Sequence, residues 1–338
     1  MRAENKQLTG VRGIAALYVV FYHCFHLVYD IQFIKNGYLS VDLFFILSGF
    51  VMALSYAERF IKFFTVRNYF AFLQNRIARI WPAYFFWLIC NSIYLMYKER
   101  FVQGDFLYNL FMIQNLGLSS SIIGTGWSIS IEFFSYFLFP FVVLIFFKNN
   151  RLIQFFLLLM IFILLMCISK SNKGISGPLD ITSYLEYFTI IRGVGEFVLG
   201  MGLFFIITRA KKNINSIFPF SLCTDIVFVL IVLSLSLKGT DVVSVFLFFL
   251  LIGGLYLSNN SIVSKILSSR IFHFFGAISY SLYLCHIPLI YFMMDRLGRY
   301  FNKGESFLLS IFVLIIISYF SLIFIEKPMR KLLVSREI

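Results

Sequence analysis

Apolar windows of about 18 or more residues recur along the whole chain, each long enough to cross a hydrocarbon core of ~30 Å. In lipid the backbone must satisfy its own hydrogen bonds, so an unbroken window of this length crosses as a helix. We read ten such windows, near 8–28, 37–56, 80–97, 127–147, 152–169, 185–208, 221–237, 241–258, 271–293 and 305–326. The expected fold class is an all-α integral membrane protein: a bundle of about ten transmembrane helices, with a cytoplasmic amphipathic helix and a short re-entrant segment added below. With 60% of 338 residues hydrophobic and 13% charged, a soluble class is excluded. The first window is long, contains Arg12 and lacks a small-residue cleavage site, so no removable signal peptide is expected.

Lys and Arg in the connecting segments set the orientation. With a cytoplasmic N-terminus, the inner segments hold about 18 basic residues against about 9 outside, and both termini are cytoplasmic. This asymmetry and contact with anionic headgroups of the lipid bilayer account for the net charge of +13; nothing points to nucleic acid. The basic, aromatic segment 57–79 reads as an amphipathic helix on the cytoplasmic face. Residues 98–126 contain FLYNLFMIQNLGL, an apolar run too short to span and therefore re-entrant or interfacial. Cys24, Cys90, Cys167, Cys223 and Cys285 all fall within windows, without metal-type spacing, and read as packing residues. No linker or composition shift divides residues 1–338, so a single membrane domain is expected.

Ionisable residues inside a span are costly and mark function. Arg12 and His23 are eleven residues apart, which leaves them about 20° apart around a helix and about 16 Å apart along it, facing one path at two depths. His23, Asp42 and Glu132 each lie five residues from an outer boundary, about 7–8 Å deep, with His286 near that level and His26 one turn above His23. Arg76 and Arg79 precede the third span at the inner surface, where guanidinium groups match phosphate oxygens. Arg192 and Glu196, at i and i+4, are placed to neutralise each other.

An inner cation site, a corridor and an outer cluster of His and carboxylates are the parts needed to move an acyl group from a phosphate-bearing carrier to an outward hydroxyl. A histidine removes the hydroxyl proton, and a carboxylate fixes its tautomer. No GxSxG or HExxH motif is present, so serine-hydrolase and zinc-peptidase chemistry lack support. His23 and His26 with Asp42 or His286 make a poor metal set, and no metal is expected. The alternative from another class is a glycan or small-molecule transporter or flippase using His23, Asp42 and Glu132 as a proton relay. Against it, no convincing internal repeat is visible.

The chain resembles acyltransferase family 3, the integral-membrane O-acyltransferases. The likeness rests on R-x10-H at 12–23, GYLSVDLFFILSGFVM at 37–52, NRIARIWPAYFFW at 75–87, WSISIEFFSYFLFP at 127–140, RGVGEFVLGMGLF at 192–204 and ISYSLYLCHIPL at 278–289. It implies transfer of an acyl group, commonly acetyl, from cytoplasmic acyl-CoA to a hydroxyl of a cell-surface or lipid-linked glycan in the bacterial cytoplasmic membrane. By matching positions it implies coenzyme binding by Arg12, Arg76 and Arg79, and catalysis by His23 with Glu132. Asp42 and His286 then either shape the acceptor site or satisfy buried polar contacts. Some family members carry an extracytoplasmic SGNH domain; this chain is expected to be the stand-alone form, which leaves room for a separate acyl-accepting partner protein.

Overall fold

The computed structural model describes residues 5–25, 30–148, 150–171, 174–210 and 220–334. Its helices, in chain order, are α1 Lys6–Phe25, α2 Gln32–Lys35, α3 Ser40–Lys62, α4 Val66–Tyr97, α5 Gln103–Leu110, α6 Gly126–Lys148 and α7 Arg151–Ser171. They continue with α8 Tyr187–Ala210, α9 Phe220–Leu235, α10 Asp241–Leu257, α11 Ile262–Leu267, α12 Arg270–Leu297, α13 Lys303–Ser321 and α14 Lys327–Leu333. A 3₁₀ turn at Asn36–Leu39 leads into α3, and a π-helical turn at Leu322–Glu326 joins α13 to α14. No strand occurs among the described residues. His26 lies outside them, as do Arg2, Lys211, Lys212 and Arg336 of the charge pattern.

Among the described residues all ten apolar windows fall on helices, and seven helices are long and apolar enough to cross a membrane. The exceptions have visible causes. Phe220–Leu235 and Asp241–Leu257 are shorter apolar helices, and the third window is the second half of α4. The 57–79 segment is not one surface helix: α3 runs through Lys62, and α4 continues unbroken from Val66 into the window. Hydropathy changes near residue 80, and the helix runs across the change even with Pro82 beside it. Pro82, Pro140 and Pro288 sit inside α4, α6 and α12 without ending them. Residues 98–126 form the short helix α5 followed by turns.

The chain folds as two compact units, each assembled from separate stretches. Unit 1 comprises 1–65, 137–182 and 186–276; unit 2 comprises 66–136, 183–185 and 277–338. In unit 1 the central pair is α3 against α8, where two glycines let the backbones touch. A Cβ at Gly49 would stand 1.9 Å from the Phe197 carbonyl oxygen, and one at Gly200 would stand 1.9 Å from that of Ile46. Small residues are the means by which membrane helices pack this closely. Phe50, Phe60, Phe139 and Phe197 fill the surrounding core. In unit 2, α4 packs with α12 and the α13–α14 junction. Tyr280 Oη donates to the Ile80 carbonyl at 2.7 Å, and Trp87 Nε1 donates to Ser321 Oγ at 3.3 Å.

Candidate functional site

Arg12, His23 and Asp42 belong to unit 1; Arg76, Arg79, Glu132 and His286 belong to unit 2. Arg12 and His23 are both half-buried on α1. The turn beside His23 is held by Tyr22, whose Oη donates to Asp180 Oδ2 at 2.7 Å and lies 2.9 Å from Ser176 Oγ. Asp180 also accepts from the Ser176 amide at 3.0 Å, so one carboxylate of the loop before α8 anchors the His23 end of α1. Burial pushes the Asp180 carboxyl above the usual aspartate range; the Tyr22 hydrogen bond and the charge of Arg192 oppose the shift without cancelling it.

Asp42 is fully buried, and both its oxygens accept from Arg192: Nε donates to Oδ1 at 2.8 Å and Nη2 to Oδ2 at 2.5 Å. The bidentate pair joins the start of α3 to α8. Glu196, the neighbour that sequence spacing favours for Arg192, forms an ion pair with it at 3.8 Å from Nε, outside hydrogen-bond distance. Arg192 therefore hydrogen-bonds a residue 150 positions away while keeping an ion pair on its own helix. Unit 1 thus holds Tyr22, Asp180 and Ser176 as one polar contact beside His23 and Arg192 with Asp42 as another, and the charge of Arg192 acts on Asp180.

In unit 2, Arg76 and Arg79 are half-buried on α4, three residues apart. Glu132, half-buried on α6, accepts from Tyr136 Oη at 2.7 Å one turn on. His286 is fully buried on α12, with Nδ1 2.8 Å from the Tyr283 carbonyl and 3.2 Å from that of Leu282. Two carbonyl acceptors require Nδ1 to carry the proton, which fixes the tautomer and makes Nε2 the basic nitrogen. The start of α6 is pinned to α12, since Ser128 Oγ lies 2.7 Å from Tyr283 Oη and Thr125 Oγ1 donates to the Tyr283 carbonyl at 3.1 Å. Gln114 donates to the Gly126 carbonyl at 2.9 Å and so holds the turn that begins the WSISIE helix.

Tyr22, Asp180, Gln114 and Glu326 were not singled out by sequence. Glu326 is buried at the π-helical turn and accepts from Ser281 Oγ at 2.5 Å. Its signal was available: an acidic residue at the end of the last apolar window. Asp180 carried none, because it sits in a loop where an aspartate is ordinary. Among the described residues no group of three His, Cys, Asp or Glu is placed to hold a metal ion.

A family model described as an acyltransferase domain (acyltransferase family 3) matches residues 5–326. Among known proteins, the chain is similar to the O-acetyltransferase OatA of Staphylococcus aureus, with 26% identity over 371 aligned positions, covering 96% of this chain and 57% of the relative. It is also similar to the putative peptidoglycan O-acetyltransferase YrhL of Bacillus subtilis, with 24% identity, covering 96% of this chain and 54% of the relative. Protein 2 in the picA locus of Rhizobium radiobacter shares 37% identity over 93 positions, 26% of this chain. The chain therefore spans about half the length of OatA and YrhL. No solved structure matches it. With a match that runs from the start of α1 to the π-helical turn, through both units, the chain belongs to acyltransferase family 3.

Proposed function

We propose that the protein is a membrane O-acetyltransferase that moves an acetyl group from cytoplasmic acetyl-CoA to a hydroxyl of a cell-surface or lipid-linked glycan. The observation that carries this reading is the family match over nearly the whole chain, which also favours it over the transporter alternative. The names of the relatives supply the acyl group and the acceptor class: OatA is an O-acetyltransferase and YrhL a putative peptidoglycan O-acetyltransferase. The protein acts in the bacterial cytoplasmic membrane with both termini cytoplasmic, as its basic residues indicate. A separate acyl-accepting partner protein remains part of this proposal.

His23 is the general base. As it takes the acceptor proton, the acceptor oxygen attacks the thioester carbonyl, the C–S bond breaks and coenzyme A leaves as the thiolate. Glu132 is the carboxylate partner that stabilises the imidazolium. Arg12, Arg76 and Arg79 hold the phosphates of the coenzyme through charge-assisted hydrogen bonds. Asp42 acts through Arg192, holding α3 to α8, and satisfies buried polar contacts there. His286, with its tautomer fixed, offers Nε2 as an acceptor for a substrate hydroxyl. The test is mass spectrometry of surface glycans from cells with and without the protein: loss of an O-acetyl mass increment supports the reading. Unchanged acetylation with altered glycan abundance would replace it by the transporter.

A further inference from the structure

Tyr22 and His23 are neighbours on α1, and neighbouring helical residues project about 100° apart and ordinarily do not face each other. Their rings nevertheless meet, with centroids 4.8 Å apart and planes inclined at 57°. His23 is half-buried, whereas Tyr22 is 4% exposed, so the buried phenol is a wall against which the imidazole leans.

That wall is held along its whole length. At its root, a Cβ on Gly37 would stand 2.6 Å from Tyr22 Cβ, so the 3₁₀ turn closes directly against the side chain. Beside it, Tyr38 of the same turn meets the ring edge-on, with centroids 6.0 Å apart. At its tip the phenol proton goes to Asp180, so the second bond at Oη takes its proton from Ser176 Oγ. The turn that supplies both partners is itself seated on two further helices. Asp241 Oδ2, at the start of α10, accepts from the Leu179 amide at 2.9 Å and from Tyr38 Oη, and Arg192 Nη1 of α8 donates to the Ile181 carbonyl at 3.4 Å. A side chain with two torsions, held at root, edge and tip, has one orientation left.

We propose, with His23 as the general base assigned above, that Tyr22 is its positioning residue and that the Ser176–Asp180 turn sets the angle of the imidazole through it. A half-buried base stays open to its acceptor on one side, and a rigid aromatic wall on another fixes its direction without closing it off. Tyr22 touches neither substrate nor coenzyme in this role and acts only through the imidazole.

The test uses isolated membranes that contain the full chain, supplied with radiolabelled acetyl-CoA over a range of concentrations, and reads the rate of label transfer to the membrane glycan per mole of protein. Tyr22→Phe keeps the ring and removes its anchor; it should lower kcat about tenfold while KM for acetyl-CoA stays within about twofold. Tyr22→Leu removes the wall as well and should lower kcat about a hundredfold. Tyr18→Phe deletes a hydroxyl that donates to the Phe33 carbonyl one turn earlier on the same helix, and should leave both constants unchanged. In a His23→Ala background, Tyr22→Phe should cost nothing further, because a residue that acts only through the imidazole has nothing left to act on. If Tyr22→Phe lowers the amount of folded protein, Ser176→Ala removes one of the two bonds at Oη and should still lower kcat about two- to tenfold. A wild-type kcat in both Tyr22 variants, with His23→Ala inactive, would overturn the positioning role and leave the base in place. The same proportional loss with and without His23 would overturn it too, as the mark of a merely structural contact. A wild-type rate in His23→Ala would remove the base itself, and this role with it.

Discussion

Arg192 and Arg12 share the same sequence signature, a guanidinium inside an apolar window, and the fold buries them to different degrees. Arg192 is 1% exposed and clamped in two parallel bonds to Asp42, across a helix pair whose backbones touch at Gly49 and Gly200. Arg12 shares α1 with His23, and both stay half-buried. A charge that is buried and bidentate has its geometry fully determined by the fold and is left no capacity for a substrate. A charge at partial burial keeps access while its helix fixes its direction. Ionisability within a span therefore flags importance, and full burial in a bidentate pair marks the charge that builds the helix packing.

The largest effect expected from this contrast is on rate. Removing a positioned general base typically costs 10²–10⁴, so His23→Ala should nearly abolish glycan acetylation while protein abundance and acyl-CoA binding hold. His23→Ala combined with Glu132→Gln should be little worse than His23→Ala alone, because groups that act as a unit lose activity once. Near-wild-type acetylation by a well-expressed His23→Ala protein would remove His23 from the available class.

The next effect belongs to the other class and falls on stability. Arg192→Ala strands the Asp42 carboxylate in the bundle, at a cost of about 3–5 kcal/mol. The yield of monodisperse protein and its unfolding temperature in detergent should drop sharply. Replacing both partners, with Asp42→Leu and Arg192→Met, should recover most of the loss, since a buried pair exchanged for apolar side chains of similar volume is often neutral. A double variant as unstable as the single one would show that the pair does more than hold α3 to α8.

A smaller effect is expected on coenzyme affinity. Arg12→Ala and Arg79→Ala each remove a charge-assisted bond worth about 1.5–3 kcal/mol, roughly tenfold or more in Kd for acyl-CoA. Neither should move the unfolding temperature as Arg192→Ala does. Equal affinity in wild type and both variants would place these arginines with the topological anchors of the membrane surface.

How much of this was legible beforehand depends on the range of the interaction. The apolar windows are local sums, so the ten long apolar stretches could be read from their own residues, whereas the short helices α2, α11 and α14 could not. The α3–α4 break fell within a segment read as one helix because hydropathy reports where lipid begins, whereas helix continuity is decided by the backbone between Phe63 and Val66. Spacing at i and i+4 found the ion pair of Arg192 with Glu196 but not its hydrogen-bonded partner Asp42, since the close α3–α8 contact is a tertiary fact that no window contains. Tyr22 and Asp180 escaped for the same reason: each is unremarkable alone, and the pair is formed by residues 158 positions apart.

Asp180 links α1 to the buried pair electrostatically, because it accepts from Tyr22 on α1 and the charges of Arg192 and Asp42 act on its carboxyl. Its carboxyl is raised by burial, so near the ordinary aspartate range of ~3.9 the folded protein binds more of this proton than the unfolded chain does. By linkage, the Asp180 contribution to stability is then lost as pH rises from that range through the folded-state value. Unfolding temperatures between about pH 4 and pH 7 should fall with pH more steeply in wild type than in Asp180→Asn, which keeps an acceptor for Tyr22 and removes the titration. The effect is the smallest of the four, since hydrogen bonds from Tyr22 and Ser176 and the charge of Arg192 all oppose the shift. If Asp180→Asn also lowers acetylation with the pH slope flattened and the fold intact, Asp180 is a positioning residue that carries the order of the buried cluster to the His23 turn. An unchanged slope would separate the two regions and leave Asp180 as a loop contact alone.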